Sequence, residues 1–159
     1  MCNLNEKICS FFGHREIVID SKLKQQIKET IILLILKENV CIFYFGGFGD
    51  FDKCCWEIVT ELKKTYSHIK RVYCLEKEDW QYRKNKRPKR LADDRYEDFI
   101  YLPLTFDYWY TAIYYRNCAM IEYSDFVVFY AEEKENSGAY KAYKYAVKKK
   151  KKIINFCNK

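Results

Sequence analysis

Three loops of this sequence carry groups suited to holding phosphates or sugars, and the first loop is Gly13-His14-Arg15, directly after an apolar run. Glycine permits a tight turn, and arginine binds a phosphate or carboxylate through its planar guanidinium. Histidine can form a hydrogen bond or exchange a proton. Because loops supply a large share of binding residues, this pattern favours a ligand-binding role for the tripeptide over a capping or structural one.

The second loop is rich in glycine and reads GGFGDFD over 46–52. It matches neither the G-x-G-x-x-G pattern nor a Walker loop, so it does not support NAD-dependent dehydrogenase or ATPase chemistry, and no cofactor is expected. Gly46 and Gly47 allow a ligand to approach the backbone. Asp50 or Asp52 accepts hydrogen bonds from ribose hydroxyls or, alternatively, caps the following helix.

The third loop, Ser137-Gly138-Ala139, opens the last predicted helix shortly after an apolar strand. Exposed amides at a helix N-terminus attract anions, and small residues leave room for one. Arg116 and Asn117, from the preceding helix, are expected to reach the same crevice. A surface ion pair is the alternative role for Arg116.

Strands and helices alternate along the chain, and they must position these loops. Apolar runs and helical spacing predict strands at 8–12, 40–45, 72–75, 99–102, 126–130 and 152–156, and helices from 20 or 21, over 51–65, through 116–120 and from 137. This alternation predicts a Rossmann-like α/β fold with a doubly wound, mainly parallel sheet and helices on both faces. The carboxyl ends of such strands form the ligand-binding edge.

The length and composition fit a single domain over 1–159, since the 159 residues are 49% hydrophobic and 32% charged. The segment 76–98 is densely charged and is interpreted as an insertion, an excursion or lid at the sheet edge. The longest apolar stretch, 31–36, is too short to cross a bilayer, and no signal peptide opens the chain, so a cytoplasmic protein without a membrane partner is expected.

No metal site is expected, because the eight cysteines form no C-x-x-C pair and the chain has only two histidines. Cys9, Cys41 and Cys74 lie inside apolar runs and are expected to be reduced thiols. Fifteen tyrosines are a surplus that predicts an oligomer interface or a pocket for a planar ligand, with an aromatic core as the alternative. The aromatic segment 106–115 is the candidate interface of a homo-oligomer.

Two basic runs, 83–90 and 148–152, contribute much of the net charge of +7. Clustered cations bind nucleic acid by releasing counterions from its phosphates. The second run, however, lies at a predicted helix C-terminus, where cations are favourable without any partner. A basic surface that attracts a phosphorylated small molecule is the more economical interpretation, and direct nucleic-acid binding is disfavoured.

Four segments, taken together and in order, resemble the SLOG superfamily. They are CSFFGHR over 9–15, FYFGG over 43–47 followed by Phe51-Asp52, Arg116-Asn117 before Ser124-Asp125, and Ser137-Gly138-Ala139 before KKIIN. That superfamily groups the LOG-type (Lonely Guy) enzymes, DprA-like proteins and nucleotide-sensing domains on a Rossmann-like fold. The resemblance extends over nearly the whole chain.

This resemblance implies binding of a nucleotide or nucleotide-derived signal, such as an adenine nucleotide or a cyclic or linear ADP-ribose, by a sensor or sequestering protein. Roles in bacterial and phage conflict are implied in the same way. Phosphate contacts are then expected from Arg15, Arg116 and the amides of 137–139. Tyr108 or Tyr140 would stack on the base.

The same resemblance bears on whether the ligand is cleaved. LOG-type enzymes have a glycine-rich turn with Thr and a catalytic Glu about one helical turn later, but no carboxylate follows Gly138 over 139–148. Because glycosidic cleavage needs such a group, binding without turnover is favoured. Asp50, Asp52 or Glu132 remains a possible substitute, so a nucleotide phosphoribohydrolase is the alternative and a DNA-associated protein the second alternative.

Overall fold

Each predicted strand forms part of one sheet in the computed structural model, which describes residues 5–102 and 111–157. The strands are β1 (Lys7–Gly13), β2 (Val40–Phe45), β3 (Lys70–Cys74), β4 (Asp98–Ile100), β5 (Phe126–Tyr130) and β6 (Lys152–Asn155). The α-helices are α1 (Ser21–Lys37), α2 (Asp50–Leu62), α3 (Asp79–Tyr82), α4 (Ala112–Glu122) and α5 (Gly138–Lys148). Every described helix is too short or too polar to span a membrane.

The sheet has the strand order β4-β3-β2-β1-β5-β6, and all five neighbouring pairs are parallel. The predicted Rossmann-like, doubly wound fold is therefore confirmed, with a sheet that is parallel throughout. The chain adds strands outward from β1 to β4 and then returns to place β5 on the other side of β1. The gap between the carboxyl ends of β1 and β5 is thus the switch point at which such folds bind ligands.

Helices cover both faces of the sheet, because its strands are apolar on both sides. On one face, the Phe11 ring stacks on Phe43 and Phe45, with centroids 5.9 and 5.3 Å apart, beneath α1 and α2. On the other face, Phe12 and Phe129 pack with the alanines of α5. The seven described cysteines form no disulfide.

Capping residues fix where the helices begin. The Oδ1 atom of Asp20 accepts a hydrogen bond from the amide of Leu23 at 2.7 Å, which starts α1 where the sequence predicts it. Helix α2 ends at Leu62, three residues earlier than expected. There the amides of Lys64 and Thr65 turn to carbonyls three residues back, which tightens the chain and breaks the α-helical pattern.

The charged segment 76–98 packs against the β3–β4 edge through α3 and three short 3₁₀ turns (Lys84–Lys86, Lys89–Leu91 and Asp93–Arg95). The guanidinium of Arg87 lies 4.2 Å from the centre of the Phe99 ring. Ion pairs within or next to the segment engage much of its basic run: Lys84 and Arg87 with Asp93, Lys86 with Asp79, and Arg90 with Glu76. The run is therefore a poorer nucleic-acid patch than its sequence suggests.

Candidate ligand-binding site at the switch point

A cleft of about 280 Å³ opens at the carboxyl edge of the sheet and takes in the ends of β1 and β2, α4 and the start of α5. We call it the switch-point cleft. Its lining comprises Phe11, Phe12, Gly13, His14, Arg15, Gly46, Phe48, Asp52, Ile113, Arg116, Asn117, Ser137, Gly138 and Ala139. The fold thus brings residues of all three predicted loops and of α4 to one place.

His14 joins β1 to the segment that follows β5. Its Nε2 atom accepts a hydrogen bond from the amide of Glu132 at 2.7 Å, and its Nδ1 atom lies 3.1 Å from the hydroxyl of Ser137. Because an amide can donate only to an unprotonated nitrogen, the proton of the neutral ring is on Nδ1. Burial and the nearby Lys134 lower the pKa of His14, against the opposing effect of Glu132. The two ring nitrogens therefore link the end of β1 to the backbone of Glu132 and to the side chain of Ser137.

The N-terminus of α5 forms one wall of the cleft. The hydroxyl of Ser137 accepts a hydrogen bond from the amide of Tyr140 at 3.2 Å and caps the helix. Gly138 and Ala139, in the first turn, line the cleft. A Cβ atom added to Gly138 would have no neighbour within 4 Å among the described residues, which leave the space above this turn open. First-turn amides and the positive end of the helix dipole suit an anion there.

Arg116 is buried beside this wall. The alternative role that the sequence allowed, an ion pair on the surface, is not what the structure shows, because the ion pair of Arg116 with Glu76 is buried. Its Nη1 atom donates to the carbonyl of Gly46 at 3.0 Å and to the carboxylate of Glu76 at 3.1 Å, and Nη2 donates to the Asn117 Oδ1 atom at 3.0 Å. Its buried Nε atom has no hydrogen-bond partner among the described residues. A Cβ atom at Gly46 would lie 2.5 Å from the guanidinium, so any other residue there would have to displace the Arg116 side chain.

Asp52 reaches back from the first turn of α2 to hold the glycine loop. Its carboxylate oxygens accept hydrogen bonds from the amides of Gly46 at 3.4 Å and Gly47 at 3.1 Å. Gly47 has φ of +76°, a conformation that disfavours other residues. Burial raises the pKa of Asp52 to about 7, although Arg116 and the two amides favour the charged form.

The protonation of Asp52 makes stability depend on pH. Its folded pKa of about 7 exceeds the ordinary 3.8, so the folded protein binds this proton more tightly than the unfolded chain. The stability that this carboxyl contributes is present below about pH 4 and is lost as the pH rises through 7. As the pH rises from 5 to 7, we expect the free energy of unfolding of Asp52→Asn to increase relative to that of the wild type by about 1 kcal/mol per pH unit. Urea unfolding at each pH measures this difference, and parallel pH profiles would contradict it.

Arg15 lies on a pinned backbone. Its carbonyl accepts a hydrogen bond from the amide of Asp50 at 2.8 Å, and the Asp50 carboxylate accepts one from the amide of Ile17 at 3.1 Å. Gly49, with φ of +94°, packs against the Arg15 backbone. The Arg15 side chain is exposed and forms no hydrogen bond or ion pair with other described residues. The backbone of Arg15 is therefore fixed, whereas its guanidinium has no partner among the described residues.

The remaining predicted residues lie elsewhere. Gly47 and Asp50 face a neighbouring cleft, and the Glu132 carboxylate pairs with Lys134, 3.7 Å away on the surface. The Tyr140 ring stacks on Tyr143 along α5 and does not line the switch-point cleft. Tyr108 lies outside the described residues.

Sequence reasoning missed Glu76, Phe48 and Ile113. Glu76 follows β3 closely, so the rule that binding groups follow strands would have found it. Phe48 lies within the glycine loop, and the guanidinium groups of Arg90 and Arg116 lie 4.9 and 5.7 Å from its ring centre. Ile113 is half exposed on α4, and no sequence pattern marks it.

Comparison with known proteins supports the fold. No protein-family model and no curated protein sequence matches this chain. Its structure is similar to the X-ray structure of DNA processing protein A (DprA) from Streptococcus pneumoniae, with a TM-score of 0.61 and 16% sequence identity. The match covers 94% of this chain and 50% of the DprA chain. The chain therefore has a DprA-like, Rossmann-like fold and spans half the length of that protein.

Proposed function

We propose that this protein binds a nucleotide-derived small molecule in the switch-point cleft. One observation carries the proposal: the buried guanidinium of Arg116, whose Nε atom has no hydrogen-bond partner within the described chain, lines the same cleft as the first turn of α5. Guanidinium groups and helix N-termini both recognise phosphate oxygens. The free Arg15 side chain adds a third group of this kind at the mouth of the cleft.

In this proposal the phosphate lies against the amides of Gly138 and Ala139, with Arg15 closing over it. The apolar surface of Phe48 and Ile113 takes the base, in place of Tyr140, which does not line the cleft. Binding without turnover makes the protein a sensor or sequestering protein for an adenine nucleotide or an ADP-ribose type of signal. A role in bacterial or phage conflict belongs to the same proposal.

A nucleotide panel tests this function. The purified protein is exposed to AMP, ADP, ADP-ribose and cyclic ADP-ribose isomers, washed and heat-denatured, and the released molecules are identified by liquid chromatography and mass spectrometry. We expect one compound to be recovered intact and in stoichiometric amount. Arg15→Ala is expected to weaken its binding about tenfold or more, because a charge-assisted hydrogen bond is lost.

Lys64→Ala is the matched control for Arg15→Ala. Lys64 is also an exposed cation, but it follows the C-terminus of α2, about 20 Å from the end of that helix that lies at the cleft. Equal loss of binding in both variants would mean that net charge, rather than a contact at the cleft, governs binding. An empty cleft across the whole panel would overturn the proposed function.

Two observations favour other candidates. The Asp52 carboxyl lines the cleft with a pKa of about 7, which suits a general acid or base, so recovery of free base and ribose phosphate would identify a phosphoribohydrolase. The similarity to DprA, a DNA processing protein by name, favours a DNA-associated role. An empty cleft together with salt-dependent retention of DNA would support that second candidate.

A further inference from the structure

A second cleft of about 500 Å³ lies on the other side of the glycine loop. Successive residues of the loop alternate between the two spaces. Gly46 and Phe48 line the switch-point cleft, whereas Gly47 and Gly49 line the second cleft. Because neighbouring Cα atoms are about 3.8 Å apart, the two clefts are separated by little more than the thickness of one peptide chain.

Two side chains border both clefts, and they are Arg15 and Asp52. The bond from the Asp50 amide to the Arg15 carbonyl fixes the backbone of Arg15 at this boundary. Its guanidinium, which has no partner among residues 5–102 and 111–157, is therefore placed where one anionic group can be shared between the two spaces. A pyrophosphate is such a group, because it joins two nucleoside or sugar units through adjacent phosphates.

The second cleft is cationic. Arg15, Lys53, Arg90 and Arg95 line it. Three carboxylates line it as well: Asp50 and Asp52 are engaged by the backbone amides described above, and Glu16 is exposed. Lys53 is exposed, and its side chain forms no hydrogen bond or ion pair within the described chain. A free cation thus lies on the α2 side of this cleft.

Arg95 and Trp56 form a flat wall of the second cleft. The guanidinium of Arg95 lies 4.2 Å from the centre of the Trp56 ring, and the indole N–H donates to the Arg95 carbonyl at 3.1 Å. The buried Nε atom of Arg95 has no hydrogen-bond partner among the described residues. Buried polar atoms are nearly always paired, so this donor marks a place for a ligand oxygen.

The size of the switch-point cleft also favours a ligand that extends into the second cleft. Sites that enclose a small ligand measure about 300–1,000 Å³. At about 280 Å³, the switch-point cleft lies just below this range and suits at most a single mononucleotide. A ligand with two sugar units needs the neighbouring space.

We propose that the second cleft is a subsite for the second half of a pyrophosphate-bridged nucleotide of the ADP-ribose type. The nucleoside half occupies the switch-point cleft, the pyrophosphate lies at Arg15, and the distal ribose lies between Lys53 and the wall of Arg95 and Trp56. This inference rests on the proposed function and adds that the ligand has two parts.

Isothermal titration calorimetry with AMP and ADP-ribose tests the subsite. We expect the wild type to bind ADP-ribose at least about tenfold more tightly than AMP, since only ADP-ribose reaches Lys53 and Arg95. Lys53→Ala and Arg95→Gln should each remove most of that preference and leave the Kd for AMP within about twofold of the wild-type value. Lys53 is exposed, so Lys53→Ala keeps the test informative even if Arg95→Gln fails to fold.

Lys64→Ala is again the control and should keep the full preference for ADP-ribose. Equal wild-type affinities for AMP and ADP-ribose would overturn the subsite and leave the proposed function standing. A parallel loss of AMP and ADP-ribose binding in Lys53→Ala would also overturn it. If neither compound binds the wild type, the subsite is overturned, and the wider nucleotide panel decides the proposed function separately.

Discussion

Arg116→Met is expected to lower the free energy of unfolding by about 3–5 kcal/mol, because it removes one partner of a buried ion pair. The side chains of Arg116 and Glu76 are only 6% and 9% exposed, so water cannot replace the lost cation. Among the cations of the described chain, Glu76 keeps only the exposed Arg90, whose Nη2 atom lies 3.5 Å from its Oε1 atom. The carbonyl of Gly46 also loses a donor. Urea unfolding at pH 8 measures this change in free energy. At that pH Asp52 is also charged, and it too loses the neighbouring cation of Arg116.

Arg83→Met is the matched control, since Arg83 is exposed and has no polar side-chain contact within the described chain. It is expected to change the free energy of unfolding by less than about 0.5 kcal/mol. The double variant Arg116→Met with Glu76→Gln should cost less than the sum of the single variants, because the glutamine leaves no charge at position 76 that lacks the Arg116 cation. Strict additivity would show that the ion pair does not couple α4 to the end of β3.

Gly13→Ala is expected to destabilise the fold by about 3 kcal/mol through overpacking. An added Cβ atom would lie 2.4 Å from Cβ and 2.5 Å from Cγ of Phe51. Phe51 is fully buried in α2, and its Cβ position is fixed by the helix backbone, so no rotamer change relieves the contact. Relief requires a shift of α2 away from β1. The change is measured by urea unfolding and by the thermal midpoint.

Gly138→Ala provides the comparison for Gly13→Ala, because an added Cβ atom there meets no atom of the described chain within 4 Å. Gly138 begins α5, where alanine reduces the entropy of the unfolded chain without a clash. We expect this variant to be neutral or more stable by up to about 1 kcal/mol. Similar losses at both glycines would show that backbone freedom, rather than contact with Phe51, explains Gly13.

Local signals were sufficient for the elements and for most of the cleft. Apolar runs such as 40–45 mark strands buried on both faces, and Asp20 and Ser137 cap the helices that their positions predict. Parallel strands carry their C-terminal loops to one edge, so naming those loops was enough to name most of the lining. The roles of Tyr108, the cytoplasmic location and self-association stay predictions.

What the sequence by itself determined is therefore the order of strands and helices and the edge at which their loops meet, because hydrophobic periodicity and helix caps act over a few residues. Only the tertiary structure decided how the polar groups pair. Arg116 meets a carboxylate forty positions away in Glu76, and His14 meets an amide and a hydroxyl more than a hundred positions away. Such pairings, and the pKa of Asp52, depend on burial and on the crossover that sets β5 beside β1, which no local pattern encodes.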